Sequence, residues 1–221
     1  MELILGIDDA GRGPVVGPMV LAACLLDDKS AKELKRMGVK DSKDLTHKRR
    51  EFLSEKIKEK AEAYEVTLAS PLDIDNSLEN GKNLNELEAK KTAELINKIN
   101  KGFKKIKVIV DCPSISRVKW RNSVLMKIEN LSNLEIVCEH KADRNHIPVA
   151  AASILAKSER EKEMKIIREK FGDEVGSGYT SDDITSKFVE ENAEKHKDAG
   201  IFRRTWQTWK ISFQKKIQRK L

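Results

Sequence analysis

Four aspartates lie just past the ends of short apolar segments, where carboxylates are candidate ligands for divalent cations. Asp8 and Asp9 follow the first such segment, Asp111 follows a second, and Asp143 comes shortly after a third. About four carboxylates that converge can hold two metal ions roughly 4 Å apart, which activate water and stabilise the leaving oxygen of a phosphodiester. The four acids together therefore predict metal-assisted phosphodiester hydrolysis, although any single aspartate at a strand end also suits a turn or a helix cap.

Strand geometry sets a condition on the first two acids. Neighbouring side chains of a strand point to opposite faces, so Asp8 and Asp9 can share one site only if Asp9 lies at the strand's end, where the chain starts to turn. Gly11, Arg12 and Gly13 follow directly. Glycine leaves main-chain amides open to a close-fitting ligand, but it also suits a tight turn between two strands. The neighbouring aspartates favour the ligand-binding interpretation.

Composition and charge restrict the function classes. The chain has 221 residues, 39% hydrophobic, and a formal net charge of +7, and the segment 203–221 contains seven basic and no acidic residues. Such a tail favours a polyanionic partner, because phosphates that bind cations release counterions. No apolar run reaches the about 20 residues of a membrane span. The first residues lack the pattern of a secretory signal, so we expect a cytoplasmic protein that begins at Met1.

Histidines and cysteines do not form a metal-binding pattern. The four histidines lack zinc-site spacing, and Cys24, Cys112 and Cys138 lie in or beside apolar segments without a CxxC pair. We therefore expect buried, reduced thiols. Any bound metal should be a hard cation that prefers oxygen ligands, such as Mg²⁺ or Mn²⁺.

Strand and helix patterns alternate after an opening pair of strands. Apolar runs predict strands at 3–7, 15–26, 64–69, 106–110 and 134–139. Helical periodicity predicts helices at 46–63, 83–100, 114–131 and 149–171, with Thr46 as a cap and Pro148 in a first turn, and two short helices at 181–194 and 200–216. This order predicts an α/β fold in which helices cover both faces of a mixed sheet. We expect a domain of residues 1–175 and a small helical appendage of residues 176–221.

Several polar and aromatic residues outside the acids are candidate substrate contacts. The loop around Ser42 and Lys43 mixes donors and acceptors, and Tyr179 lies in a glycine-rich loop where an exposed ring could stack on a sugar or base. A core position is the alternative for Tyr179. In the segment 203–210 we expect the tryptophans in the core and the arginines, including Arg204, on the surface.

An ordered set of motifs resembles the type 2 ribonuclease H family, and most closely archaeal ribonuclease HII. The matching motifs span nearly the whole chain: GIDDAGRGP from Gly6, DSK from Asp41, VIVD ending at Asp111, HKAD ending at Asp143, AAASILAK from Ala150, GSGY ending at Tyr179 and RTW from Arg204. The resemblance implies a ribonuclease H-like fold. It also implies an endonuclease that cuts the RNA strand of RNA/DNA hybrids and incises 5′ of single ribonucleotides in duplex DNA, leaving 3′-hydroxyl and 5′-phosphate ends.

The resemblance also implies roles for individual residues. The catalytic residues that bind two metal ions would be Asp8, Asp9, Asp111 and Asp143. The main chain of Gly11, Arg12 and Gly13, with Tyr179 beneath the ribose, would sense the 2′-hydroxyl, the group that separates RNA from DNA. Ser42, Lys43 and Arg204 would contact the substrate. The chain has Asp9 where the family usually has glutamate, Thr180 in place of a common proline, and His146 where an aromatic residue is frequent.

Partner and rival predictions complete the interpretation. Some archaeal members end in a sliding-clamp peptide, and Gln214 begins a similar segment that closes instead with Lys220 and Leu221; we therefore expect no clamp binding. We also expect a monomer and no membrane contact. Two alternatives stay open, namely another two-metal nuclease of the same fold that acts on DNA, and a basic hybrid-binding protein without catalysis.

Overall fold

A mixed sheet forms the centre of the fold. The computed structural model describes residues 2–40 and 45–218, and in this part of the chain it contains one five-stranded sheet with the order β3-β2-β1-β4-β5. β1 runs antiparallel to β2 and parallel to β4, which is parallel to β5. The strands are β1 (Leu3–Ala10), β2 (Met19–Asp27), β3 (Ala63–Ala69), β4 (Ile106–Asp111) and β5 (Leu134–Glu139). The predicted α/β class with a mixed sheet is confirmed.

Helices connect and flank the strands. They are α1 (Asp28–Arg36), α2 (His47–Lys60), α3 (Pro71–Glu79), α4 (Leu84–Ile99), α5 (Arg117–Leu125), α6 (Ala142–Asn145), α7 (Ile147–Phe171), α8 (Asp183–Asn192) and α9 (Gln207–Gln218). Thr46 caps α2 as predicted, and its hydroxyl accepts the N–H of Arg49. Pro148 lies in the first turn of α7, where its missing N–H costs no helical hydrogen bond.

Two longer helices, α1 and α3, were absent from the sequence prediction, as was the four-residue α6. α1 is rich in charged residues and buries only Leu34, so it lacks a run of apolar residues, and its signal is the Asp27 cap that accepts from Ser30 N–H at 2.7 Å. α3 begins with a capping box between Ser70 and Asp73 and carries Pro71 in its first turn. These caps are readable from sequence and would have found both helices.

Other predicted boundaries differ from the structure. β2 begins at Met19 rather than at residue 15, because Val16 pairs instead with Phe202 in an isolated bridge and Gly17 takes a φ of +86°. The helix predicted at 114–131 covers only α5, and the segment expected as a helix from residue 200 becomes helical at Gln207.

The backbone divides into two compact units. Unit 1 consists of residues 1–10, 20–67 and 85–158, and unit 2 of residues 11–19, 68–84 and 159–221. Strand residues form much of the core of unit 1, whereas the core of unit 2 includes Val15, Met164, Phe188, Phe202 and Trp209. The expected division into residues 1–175 and 176–221 stays a prediction.

The three cysteines lie in the interior of the protein. Cys24, Cys112 and Cys138 are free and buried, which confirms their predicted burial. Burial raises the pKa of the Cys24 thiol to about 12. Among the described helices, none combines the length and the apolar composition that crossing a membrane requires.

Candidate functional site

Strand register places two of the acids side by side in unit 1. Ile7 of β1 pairs with Val110 of the parallel strand β4, and the next residue on each strand is an aspartate. Because the parallel pairing of β1 with β4 ends at these two residues, Asp8 and Asp111 lie at corresponding positions just past the last residue pair. Asp8 is buried, and Asp111 is partly buried.

A hydrogen bond brings the fourth acid to the same edge. β5 ends at Glu139, and the chain turns through Lys141, whose φ of 58° is left-handed, into the short helix α6. The N–H of Ala142 at the start of this helix donates to Oδ1 of Asp111 at 2.9 Å. Asp143 is the next residue and is buried. The turn after β5 thus places Asp143 beside the end of β4.

Asp9 occupies a different position from the one expected. β1 continues to Ala10, and Asp9 still pairs with Leu21 of β2, so the strand does not yet turn at Asp9. The condition for a shared site, that Asp9 lies at the strand's end where the chain starts to turn, is therefore missed by one residue. Asp9 is half-buried, and its N–H donates to Oδ1 of Asp8 at 2.7 Å.

Burial and repulsion act together on Asp8. The pKa of this carboxyl lies well above its ordinary value, first because burial desolvates the charged form, and then because the negative charges of Asp9 and Asp111 repel it. Hydrogen bonds from the Ser153 side chain and the Asp9 N–H oppose this shift. Three of the predicted acids are therefore close enough to interact electrostatically.

The chemistry of these carboxylates suits a divalent cation, but their present geometry does not form a metal site. The donors are all carboxylate oxygens, the ligands that Mg²⁺ and Mn²⁺ prefer, and a cation would offset the repulsion at Asp8. Yet within residues 2–40 and 45–218 no three His, Cys, Asp or Glu side chains are arranged to hold a metal ion. Asp8 and Asp111 each accept a main-chain N–H instead.

Gly6 lets a helix approach β1 next to Asp8. A Cβ atom at Gly6 would lie 2.1 Å from the carbonyl carbon of Pro148 and 2.2 Å from the nitrogen of Val149, so no side chain fits there. The approach brings the first turns of α7, including the fully buried Ser153, to the strand that carries Asp8. Neither residue was assigned a role from the sequence, although the run of small residues at 150–153 is typical of a closely packed helix.

The glycine turn belongs to unit 2 and has one crowded and one open position. Gly11 has a φ of +78°, and a Cβ atom there would lie 2.3 Å from Nε of Arg160 and 2.8 Å from the carbonyl oxygen of Pro18. A Cβ atom at Gly13 would meet no atom within 4 Å. Gly11 is therefore required by the fold, whereas Gly13 leaves open space that a ligand can use.

The loop that carries Tyr179 packs beside this turn within unit 2. The carbonyl oxygen of Gly178 accepts the N–H groups of Val15 and Val16 at 2.9 and 3.2 Å. Arg160, which is 9% exposed, places its guanidinium 4.8 Å from the ring centre of Tyr179. Tyr179 is 37% exposed, so the alternative of a core position is wrong. The structure thus brings the predicted glycine turn and Tyr179 together.

The side chains of Asp182 and Thr185 accept hydrogen bonds from the main chain of this loop. Oδ2 of Asp182 accepts the N–H of Ser177 at 2.7 Å, and the Thr185 hydroxyl accepts the N–H of Gly178 at 2.9 Å. The main-chain N–H and the side chain of Ser177 hold the pKa of the Asp182 carboxyl below its usual range. The loop before Tyr179 is therefore fixed by side chains of α8 and its cap.

Arg203 corrects the expectation that the arginines of this segment lie on the surface. Its side chain is fully buried and donates to the carbonyl oxygens of Gly11, Arg12 and Gly17. Trp209 is buried as expected and stacks on Phe213 with ring centres 4.7 Å apart.

Arg204 is partly exposed and lies near two acids. Its Nε lies 3.7 Å from Oδ2 of Asp75, and its Nη1 lies 3.9 Å from Asp198. Asp75 is buried and also accepts the N–H groups of Arg204 and Thr205 at 2.8 and 3.0 Å. A role of Arg204 as a substrate contact stays a prediction. The predicted contacts Ser42 and Lys43 lie outside the described residues.

The chain is similar to known proteins over nearly its whole length. A sequence profile of the ribonuclease HII family matches residues 5–209. The ribonuclease HII of Methanocaldococcus jannaschii is 40% identical over 229 residues, which cover 99% of this chain and 98% of that protein.

Two solved structures are similar along most of their length. The ribonuclease H2 of Pyrococcus horikoshii has a TM-score of 0.85 and 35% identity, covering 96% of this chain and 98% of that one. The Archaeoglobus fulgidus protein in a PCNA:RNase HII complex has a TM-score of 0.79 and 36% identity, covering 91% of this chain and 92% of that one. The predicted ribonuclease H-like fold is confirmed.

Proposed function

Because this chain belongs to the ribonuclease HII family and is a ribonuclease H endonuclease, we propose that it cuts the RNA strand of RNA/DNA hybrids and incises 5′ of a single ribonucleotide in duplex DNA. The products would carry 3′-hydroxyl and 5′-phosphate ends. The observation that supports this proposal most is the group of interacting carboxylates at the ends of neighbouring strands, with Asp9 and Asp111 both raising the pKa of the buried Asp8.

The metal requirement is proposed from the same carboxylates. The ribonuclease HII family depends on divalent metal in general, and two ions, Mg²⁺ or Mn²⁺, would be held here by Asp8, Asp9, Asp111 and Asp143. Such ions supply activation of the attacking water and stabilisation of the leaving oxygen. The chain's own contribution is to place the carboxylates: β1 and β4 position Asp8 and Asp111, and the turn before α6 positions Asp143.

Recognition of the ribonucleotide is proposed for the glycine turn and Tyr179. Main-chain amides of residues 11–13 would bind the 2′-hydroxyl, and the Tyr179 ring would lie against the ribose at the RNA-to-DNA junction. The open space at Gly13 and the exposed ring of Tyr179 support this assignment. Amides held by the fold discriminate well because a substrate that lacks the hydroxyl leaves them unpaired.

The decisive experiment is digestion of a DNA duplex that contains one ribonucleotide. The reaction is run with Mg²⁺, with Mn²⁺ and with a chelator, and the ends of the products are mapped. We expect a single cut 5′ of the ribonucleotide, with 3′-hydroxyl and 5′-phosphate ends, and no product under chelation. Cutting that persists under chelation would remove the two-metal mechanism.

Two rival functions predict different results from the same assay. A DNA nuclease of this fold would cut an all-DNA duplex of the same sequence, which we expect to stay intact. A non-catalytic hybrid-binding protein would bind hybrids without product under any metal condition. An Asp111→Asn variant of such a protein would bind hybrids as the unsubstituted protein does and would likewise give no product.

Partners and location stay predictions. The similar Archaeoglobus fulgidus protein was solved with PCNA, whereas the segment that begins at Gln214 departs from a clamp peptide at Lys220 and Leu221, which lie outside the described residues. We propose that this chain acts as a monomer without clamp binding, in the cytoplasm. Mixing the protein with a sliding clamp on a sizing column would contradict this proposal if the two co-elute.

A further inference from the structure

We infer that Arg203 is a positioning residue that fixes the main chain of the glycine turn so that its amides face the ribose. The inference rests on the proposed function, because it assigns the origin of ribonucleotide selectivity within that activity. In this segment, the family resemblance implied Arg204 as the substrate contact. The structure instead assigns the positioning of the glycine turn to Arg203, which would act without touching the substrate.

The buried guanidinium donates to three carbonyl oxygens of one short loop. Nη2 donates to Gly11 at 2.5 Å, Nη1 to Arg12 at 2.7 Å, and Nε to Gly17 at 3.0 Å. Hydrogen bonds from a charged donor are shorter and stronger than neutral ones. Arg203 is fully buried, so water does not compete for these donors. The bonds therefore fix two successive peptide planes of the turn.

Fixing the direction of a carbonyl group also fixes the direction of the N–H group in the same peptide plane. A trans peptide is planar, and its N–H points opposite to its C=O; none of the described peptide bonds is cis. The carbonyl of Gly11 shares a plane with the N–H of Arg12, and the carbonyl of Arg12 shares one with the N–H of Gly13. Since both carbonyls point at the guanidinium, both N–H groups point away from it.

Trp206 completes the set by binding the next carbonyl. Its Nε1 donates to the carbonyl oxygen of Gly13 at 3.1 Å, and its ring centre lies 5.1 Å from the guanidinium of Arg203. Three consecutive carbonyls, those of residues 11, 12 and 13, thus each accept a side-chain donor. The following residue is Pro14, which has no N–H. The amides that this arrangement can direct are therefore those of Arg12 and Gly13.

Main-chain pairing fixes Arg203 itself. The N–H of Gly17 donates to the carbonyl of Ile201, and the N–H of Arg203 donates to the carbonyl of Val15, both at 2.9 Å. Residues 201–203 therefore run along residues 15–17 like a short strand. The guanidinium enters the turn from a backbone that is already anchored to the same loop.

The test compares binding of two duplexes that differ by one hydroxyl. All proteins carry Asp111→Asn so that no cleavage occurs, and the dissociation constants are measured for a DNA duplex with one ribonucleotide and for the same duplex with deoxyribose there. We expect Arg203→Lys to reduce the preference for the ribonucleotide about tenfold or more, since one ammonium cannot span three carbonyls. Affinity for the all-DNA duplex should change less than about twofold.

Arg121→Lys is the matched control. Nε of Arg121 donates to the carbonyl of Ile136 at 2.9 Å in unit 1, so this change also removes a guanidinium–carbonyl contact. We expect it to leave the ribonucleotide preference unchanged. An Arg203→Lys protein that keeps the full preference, or that loses affinity for both duplexes equally, would overturn the inference, because a purely structural role would not alter the ratio.

A second variant covers the case in which Arg203→Lys does not fold, judged by circular dichroism. Trp206→Phe keeps a ring against the guanidinium but removes the donor to Gly13, and it should reduce the preference in the same direction by a smaller factor. An unchanged preference would also contradict the inference. If the Asp111→Asn protein that keeps Arg203 shows no ribonucleotide preference, and the fully unsubstituted protein shows no cleavage, the proposed function itself fails.

Discussion

Ala142 donates its main-chain N–H to Oδ1 of Asp111 at 2.9 Å, and this bond ties the turn after β5 to the end of β4. It fixes one carboxylate oxygen of Asp111 and, through the next residue, the position of Asp143. The bond also means that an amide can replace the carboxylate with little disturbance, because an amide oxygen accepts the same N–H.

Asp111→Asn should abolish cleavage while it preserves the fold. We expect the rate on a duplex with one ribonucleotide to fall about a thousandfold or more, since losing a charged metal ligand removes several kcal/mol of transition-state stabilisation. Substrate affinity should stay within a few-fold. Single-turnover rates and a binding titration measure the two effects. Glu135→Gln, an exposed carboxylate on β5, is the control that should retain activity.

Asp8→Asn should stabilise the metal-free protein. Burial and the charges of Asp9 and Asp111 raise the pKa of Asp8, so at neutral pH the ionised form is unfavourable in the folded state. We expect the free energy of unfolding in chelator to rise, because a neutral amide avoids the desolvation and the repulsion that disfavour the charged carboxylate. Thermal unfolding measures the change. Added Mg²⁺ or Mn²⁺ should raise the Tm of the unsubstituted protein and have less effect on the variant; equal effects would contradict metal binding at Asp8.

Alanine at Gly13 should lower activity without loss of stability, whereas alanine at Gly11 should lower stability. Gly13→Ala meets no atom within 4 Å, so we expect thermal stability to change by less than about 0.5 kcal/mol while cleavage at a ribonucleotide falls at least about tenfold, because the methyl group occupies the ligand's space. Gly11→Ala combines a φ of +78° with a clash against Arg160 and should destabilise the fold by about 1–3 kcal/mol. Full activity of a stable Gly13→Ala protein would remove the turn from the substrate site.

Asp182→Asn should change the acid sensitivity of the loop before Tyr179. The N–H and side chain of Ser177 lower the pKa of Asp182 in the folded state, so its stabilising contribution is present above the unfolded pKa and is lost as pH falls through the folded value. We expect the unsubstituted protein to lose more stability than the variant as pH falls from about 5 to 3. Thermal unfolding across this range measures the difference. Equal losses of stability in the two proteins would contradict this role of Asp182.

Local sequence determined the elements and the placement of the acids. Apolar runs predicted the strands, Thr46 predicted the start of α2, and the aspartates after the apolar runs are found at neighbouring strand ends. These features depend on residues a few positions apart, which spacing and propensity describe well. The capping box of Ser70 and Asp73 belongs to the same class.

Only the tertiary structure decided which side chains support the glycine turn. Arg203 lies 191 and 192 residues from the carbonyls of Arg12 and Gly11 that it binds, and Asp75 lies 129 residues from Arg204. In the sequence, Arg203 and Arg204 are adjacent and chemically identical. Burial against the turn separates them, because the buried guanidinium finds its partners through chain folding rather than through local spacing. Motif and periodicity therefore located the chemistry, and long-range packing selected the residues that hold it in place.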